Sequence, residues 1–154
     1  MKHKHLKRNE MKKYVTIFGF AIALSACAQN TIQSNVPSVV LNSFQKEFPN
    51  ATNVEWETME KAYEVDFDLN RLDHEVWLDQ HGKIISHKQE LAVNDVPKTI
   101  AAAVTRDFAG FRTTDADKVE VEGKTTYIVE VKNGGTEWKA TYGADGTLLQ
   151  KIPD

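Results

Sequence analysis

Val36-Pro37-Ser38-Val39-Val40-Leu41-Asn42-Ser43-Phe44-Gln45-Lys46-Glu47-Phe48-Pro49 decides the fold, because the chain repeats its pattern at Val96-Pro97-Lys98-Thr99-Ile100-Ala101-Ala102-Ala103-Val104-Thr105-Arg106-Asp107-Phe108-Ala109-Gly110. Val-Pro recurs after 96 − 36 = 60 residues. Proline suits the first turn of a helix, where its missing N–H has no intrahelical partner to lose. Val40, Phe44 and Phe48 recur as Ile100, Val104 and Phe108 at the same offset. A spacing of four lays these side chains along one helix face. Pro49 ends the first helix and Gly110 the second.

Alternating segments follow each helix. Val54 and Trp56 alternate with Glu55 and Glu57; Tyr63, Val65, Phe67 and Leu69 alternate with Glu64, Asp66 and Asp68; Val76 and Leu78 alternate with Glu75, Trp77 and Asp79. A short run, 83–87, comes after the turn at Gln80-His81-Gly82. The second half repeats this with Val119 and Val121, then Tyr127, Val129 and Val131, then Trp138, Ala140 and Tyr142, then 147–152 after Ala144-Asp145-Gly146. Its turn glycine follows the first by 146 − 82 = 64 residues, which predicts an insertion in the connection 111–116. Period two with one apolar side describes a sheet covered on one face. Short connections predict hairpins between consecutive strands. The expected fold is α+β: two tandem helix-plus-four-strand antiparallel repeats, 36–92 and 93–154, forming one continuous sheet with both helices on one face and the other face open.

The segment before the repeats reads differently. Residues 1–26 hold six Lys/Arg and one Glu, and an apolar run from Tyr14 to Leu24 precedes Ser25-Ala26-Cys27. A basic stretch, an apolar stretch of about 7–15 residues and a small-residue cleavage site make a secretory signal. The run is shorter than the roughly 20 residues that span a bilayer. Met11-Lys12-Lys13 also begins a compact signal, so Met11 is a second candidate start. Without 1–26 the charge becomes (19 − 6) − (22 − 1) = −8. A nucleic-acid binder shows a basic stripe instead. Cys27 is the single cysteine, so no disulfide forms within one chain.

Leu24-Ser25-Ala26-Cys27 resembles the lipobox of bacterial lipoproteins, which implies cleavage before Cys27 and a lipid on its sulfur. Residues 27–35 then form a tether, and the protein is an exported one, held in the periplasm or at the outer membrane. Ala26-Cys27-Ala28 also fits ordinary signal cleavage, which would leave a soluble periplasmic or secreted protein.

The repeats resemble the PepSY-like, or β-lactamase-inhibitor-like, family. Val36-Pro37 and Val96-Pro97 carry the likeness, with Phe48-Pro49-Asn50-Ala51-Thr52-Asn53-Val54-Glu55-Trp56 and with Tyr63-Glu64-Val65-Asp66-Phe67 leading to the turns at Gly82 and Gly146. Phe108-Ala109-Gly110-Phe111 departs from the pattern, lacking the Pro and the Val-x-Trp. The resemblance implies an exported, noncatalytic protein, and an open sheet face that meets a protein target. It offers no catalytic residue to carry over.

The residues agree that chemistry is absent. No G-x-S-x-G, H-E-x-x-H, phosphate loop or C-x-x-C is present. Asp68-Leu69-Asn70-Arg71-Leu72-Asp73 has alternating acids but lacks the glycine and closing glutamate of a calcium loop. His74, His81 and His87 read as exposed strand and turn histidines, so neither a metal nor another cofactor is expected. Trp56, Tyr63, Phe67, Tyr127, Trp138 and Tyr142 read as core, and any buried Trp or Tyr tip should find a hydrogen-bond partner.

The outward pleat is the informative part. It carries Glu55, Glu57, Glu64, Asp66, Asp68, Glu75 and Asp79 around Trp77, and Ile128 lies on the same face of the second repeat. Charges on a wet face discourage sheet stacking, but an aromatic there has no core role, and interface hot spots are enriched in tryptophan. The expectation is a noncatalytic envelope module, inhibitory or chaperone-like, that binds a basic protein partner through Trp77, Glu64, Asp66, Asp68, Glu75, Asp79 and Ile128. The alternative is a periplasmic cation sensor or buffer using the same carboxylates. At the other end of the chain, Cys27→Ala should abolish metabolic labelling by a fatty acid; a variant that keeps the label would place the lipid elsewhere.

Overall fold

The computed structural model describes residues 35–154. The expected signal, Cys27 and the tether up to residue 34 lie outside the described residues. Helix α1 (Ser38–Glu47) is followed by β1 (Thr52–Thr58), β2 (Ala62–Leu69), β3 (Leu72–Asp79) and β4 (Ile84–Glu90). A short 3-10 turn (Val93–Asp95) leads to α2 (Lys98–Asp107), β5 (Arg112–Val121), β6 (Lys124–Asn133), β7 (Thr136–Gly143) and β8 (Leu148–Pro153). All eight strands form one antiparallel sheet in chain order. Among the described residues, no helix is long and apolar enough to cross a membrane.

The two helices begin and end by the same local chemistry. The carbonyl of Pro37 accepts the N–H groups of Val40 and Leu41, and that of Pro97 accepts the N–H of Ala101. Phe48 and Phe108 leave the helical region with φ of −122° and −130°. The N–H of Phe48 still reaches the Phe44 carbonyl, and the N–H of Phe108 the Val104 carbonyl, both at 2.8 Å. Proline at 49 disfavours the helical conformation at Phe48. Gly110, with φ of 84°, turns the chain after α2.

Each helix covers its own apolar cluster. Val40 and Phe44 of α1, with Phe48, pack on Trp56, Val65, Phe67, Val76 and Leu78. Ile100, Ala103 and Val104 of α2, with Phe108, pack on Ala116, Val129, Val131, Ala140 and Tyr142. Residues directly opposite in a ladder share a face. Val76 opposes His87, His87 opposes Glu120, and Glu120 opposes Thr125. A polar row, His87, Glu120 and Thr125, separates the two cores.

The register moves the insertion. Glu55 opposes Asp66 and Trp56 opposes Val65 in β1–β2; Asp115 opposes Glu130 and Ala116 opposes Val129 in β5–β6. The offset is thus still 115 − 55 = 60 on β5, and it becomes 130 − 66 = 64 only on β6. The four extra residues lengthen the β5–β6 hairpin, and 112–116 is strand rather than an inserted connection. The physical reason is that a hairpin grows by adding pairs at its tip, here down to Val121 opposite Lys124, without disturbing the core end. The last strand of the first half is also longer than the 83–87 run, reaching Glu90 because it pairs with β5.

Two core expectations need correction. Val119 and Val121 were expected under the helices, yet their partners Lys88 and Ser86 place them on the open face. Ala116, Lys118 and Glu120 take the inner positions instead. The indole N–H of Trp56 and the hydroxyl of Tyr142 are buried without a hydrogen-bond partner among the described residues. Burial, and then the nearby Asp107 carboxylate, push the Tyr142 phenol up to about 12.

Gly82 pins the β3–β4 turn against α1. Its φ is 80°, and a Cβ there would lie 2.4 Å from Ser43 Oγ and 2.9 Å from the Val39 carbonyl. Gly123 has φ of 78° but open space around it. Gly123→Ala should therefore cost about 1 kcal/mol, the conformational part alone. Gly82→Ala should cost roughly 2–4 kcal/mol because the turn must also lift off the helix. Denaturant unfolding of the two variants measures the difference.

Candidate functional site

The open face can be read row by row from the ladders. Glu57, Glu64, Trp77, Ser86 and Val121 form one row from β1 to β5. The next row holds Glu55, Asp66, Glu75, Lys88 and Val119. A third holds Asp68, Asp73, with Glu90, Asp117 and Ile128 continuing across β4 to β6. Period-two alternation of acids with Val65, Phe67, Val76 and Leu78 is what sends these side chains to one side.

Trp77 is half-buried rather than fully exposed, and its indole N–H donates to Glu75 Oε1 at 2.9 Å. Glu64 stands directly opposite it, and Val121 shares its row two strands away. Val121 is 44% exposed, and with Val119 it makes an apolar spot on β5 that Ser86 and Lys88 of β4 separate from Trp77. Ile128 is on this face as expected but lies on β6, beyond Asp117 and Glu90, and does not adjoin Trp77.

Charge is distributed unequally along the sheet. On the second half Glu130 pairs with Lys139 at 2.8 Å, Glu137 pairs with Lys132, and Asp117 pairs with Lys88 at 3.5 Å. Among the described residues none of Glu55, Glu57, Glu64, Asp66 or Glu75 has a salt-bridge partner. The carboxylates of Glu64, Asp66 and Glu75 bring oxygens within 4.8 Å of one another. Burial first, then repulsion from Glu75, raises the carboxyls of Glu64 and Asp66 above their usual range. A depression of about 480 Å³ opens among Asn53, Asp66, Asp68, Asp73, Glu75 and Lys88.

The other predicted carboxylates have local duties. Asp79 Oδ1 accepts the N–H groups of Lys83 and His81, each at 2.9 Å, and these bonds hold its carboxyl below the usual range. Asp79 therefore caps the β3–β4 turn. Asp68 accepts from the side-chain amide of Asn53. Glu64, Asp66, Glu75 and Trp77 form the compact group; Asp68 and Asp79 flank it.

Sequence reasoning missed Val119 and Val121, because alternation does not say which set faces the helices. It also misplaced two histidines. His74 is buried and His87 half-buried, with His74 Nδ1 2.9 Å from His87 Nε2. Their positions opposite Gln89 and Val76 put them on the helix side. His81 is exposed in its turn, as read.

The open face is thus an acceptor-rich surface with one aromatic and two valines. What it offers is an anionic field around Trp77, with a separate apolar spot at Val119 and Val121. A single eight-stranded open sheet with two helices defines the class, an α+β protein built on one antiparallel sheet. The chain belongs to the family described as "Putative beta-lactamase-inhibitor-like, PepSY-like", whose model matches residues 26–86 and again 75–150. Among solved structures, a BLIP-like protein from Bacteroides fragilis is similar at 23% identity and a TM-score of 0.64, over 76% of this chain and 85% of its own. A DUF2874 family protein from Bacteroides uniformis is similar at 21% identity and 0.66, over 76% and 88%. A protein described as "putative periplasmic proteins" from Bacteroides eggerthii is similar at 18% and 0.67, over 77% and 88%. These likenesses establish the fold. No curated protein matches the chain.

The raised carboxyls set the sign of a pH effect. A folded-state value above the unfolded one favours the fold at low pH, and the benefit is lost as pH rises through the folded value. Glu75→Gln keeps an oxygen for the Trp77 N–H and removes the repelling charge. It should stabilise the protein by a few tenths of a kcal/mol at pH 7, and this gain should vanish near pH 4. Thermal unfolding of both proteins across that range tests it.

Proposed function

We propose that this protein is an exported, noncatalytic module that docks a basic protein surface on its open sheet face. In this reading the chain is two copies of one helix-plus-four-strand unit, with both helices on the same side, and Cys27 carries the lipid that holds it to the envelope. The observation that carries the proposal is Trp77, half-buried among Glu64, Glu75 and Asp66, none of which has a salt-bridge partner among the described residues, with Val121 in the same row two strands away. A buried interface core needs an apolar anchor, and aromatic side chains supply it at low entropic cost. The anionic rim would accelerate the encounter with a cationic partner and orient it.

Export is supported by the basic and apolar start of the chain and by a structural neighbour described as periplasmic. A binding rather than catalytic role is supported by the family's description and by the BLIP-like neighbour. An inhibitory or chaperone-like action is the sharpest form of the proposal, and its warrant is analogy of fold.

Crosslinking capture from an envelope extract tests it, with wild type, Trp77→Ala and Glu64→Gln/Glu75→Gln as baits. The captured protein should bind Trp77→Ala about tenfold or more weakly, as for an interface hot spot. The double variant should slow association and flatten its salt dependence. Equal binding to all three baits would remove the open face from the interface. Heat from calcium alone, with no protein captured, would move the reading to a cation buffer.

A further inference from the structure

Behind Trp77, on the helix side of β3 and β4, two imidazoles meet. His74 is 6% exposed, and its Nδ1 lies 2.9 Å from Nε2 of His87. The rings stack at 5.2 Å and 26°. Phe67 of β2 stacks on His74 at 5.1 Å, and Phe48, at the end of α1, meets His87 edge-on at 5.4 Å. The pair thus joins the C-terminal end of α1 to β3, to β4, and through Glu120 opposite His87 to the seam between the two halves.

The second half has a different solution at the equivalent place. Adding 64 to 74 and 87 gives 138 and 151, and there Lys151 Nζ sits 5.6 Å from the centre of the Trp138 ring. β8 is an edge strand on which Lys151 remains exposed. β4 is an inner strand covered by β5, so a charge at His87 has less water to meet.

We propose that His74 and His87 form a proton-operated latch, closed with no proton or one proton beyond neutrality and opened by the second, that fastens the end of α1 to the seam. Neutral, one ring donates its N–H to the lone pair of the other. With one added proton the same contact becomes a charge-assisted hydrogen bond. With two, both facing nitrogens carry hydrogen, no acceptor remains between them, and two cations oppose each other inside an aromatic clamp. The contact then parts and Phe48 loses its platform.

The surroundings do not neutralise a second charge. From β3, Asp73 favours protonation of His74; from β5, Glu120 favours and Lys118 opposes protonation of His87; from α1, Glu47 favours it; β2 contributes only Phe67. Burial outweighs these and lowers both imidazoles, with His74 lowering His87 further. For a base held below its unfolded value, the unfolded chain binds more protons as pH falls, so stability is full above about pH 6.5 and is lost below it.

Denaturant unfolding at pH 7.5 and 5.0 tests the latch. The unfolding equilibrium constant of the wild type should rise roughly ten- to thirtyfold between them, the upper end being the limit of withholding one proton from a histidine over that interval. In His74→Gln/His87→Gln the rise should fall to less than half of that. A flat wild-type profile, or an equal rise in the double variant, would overturn the proposal. If the variant does not fold, imidazole NMR of the wild type decides. Coupled titration of the two rings below the ordinary histidine range, with the Phe48 signals moving in step, supports the latch; independent titration at ordinary values refutes it.

Discussion

An antiparallel ladder commits every side chain to one of two faces, and in this protein one ladder runs unbroken through eight strands. A slip of one residue in any pair would exchange the faces of everything beyond it. The core, the anionic surface and the histidine pair are consequently one problem. Val65, Phe67, Val76 and Leu78 go under α1 because Glu64, Asp66, Glu75 and Trp77 go the other way.

Each short helix covers only part of the sheet. Each has ten residues and buries two or three of its own side chains on the strands that follow it. Between the two cores the inner pleat of β4 and β5 carries His87, Gln89, Lys118 and Glu120. Burial of a side chain such as Phe44 or Ile100 stabilises by about 1.5–3 kcal/mol, and none of that is available along the polar stripe. The halves are therefore joined mainly by the β4–β5 ladder, where the titratable groups of the helix side are gathered.

The open face inverts this arrangement. Its apolar side chains, Trp77 on β3 and Val119 and Val121 on β5, flank Ser86 and Lys88 of β4, while most of its carboxylates lie outward toward β1 and toward β7. Among the described residues Glu55, Glu57, Glu64, Asp66 and Glu75 have no salt-bridge partner, while those on the β7 side are tied to Lys132 and Lys139. Paired charges screen each other at short range, so the field that a distant partner meets comes chiefly from the first half.

Much of this was written in the sequence. The helices were legible because Val40, Phe44, Ile100 and Val104 keep a period of four behind a proline, without the apolar–polar alternation between them that a half-buried strand would show. The acidic face of β2 and β3 was legible because alternation there is strict. Tertiary structure alone decided what alternation leaves ambiguous. Val119 and Val121 alternate as cleanly as Val54 and Trp56, yet only pairing with Lys88 and Ser86 says which side is theirs. His74 and His87 are thirteen residues apart and look like surface residues singly. Cross-strand pairing brings them together, since contact between strands depends on register, and register is a property of the whole sheet rather than of any segment.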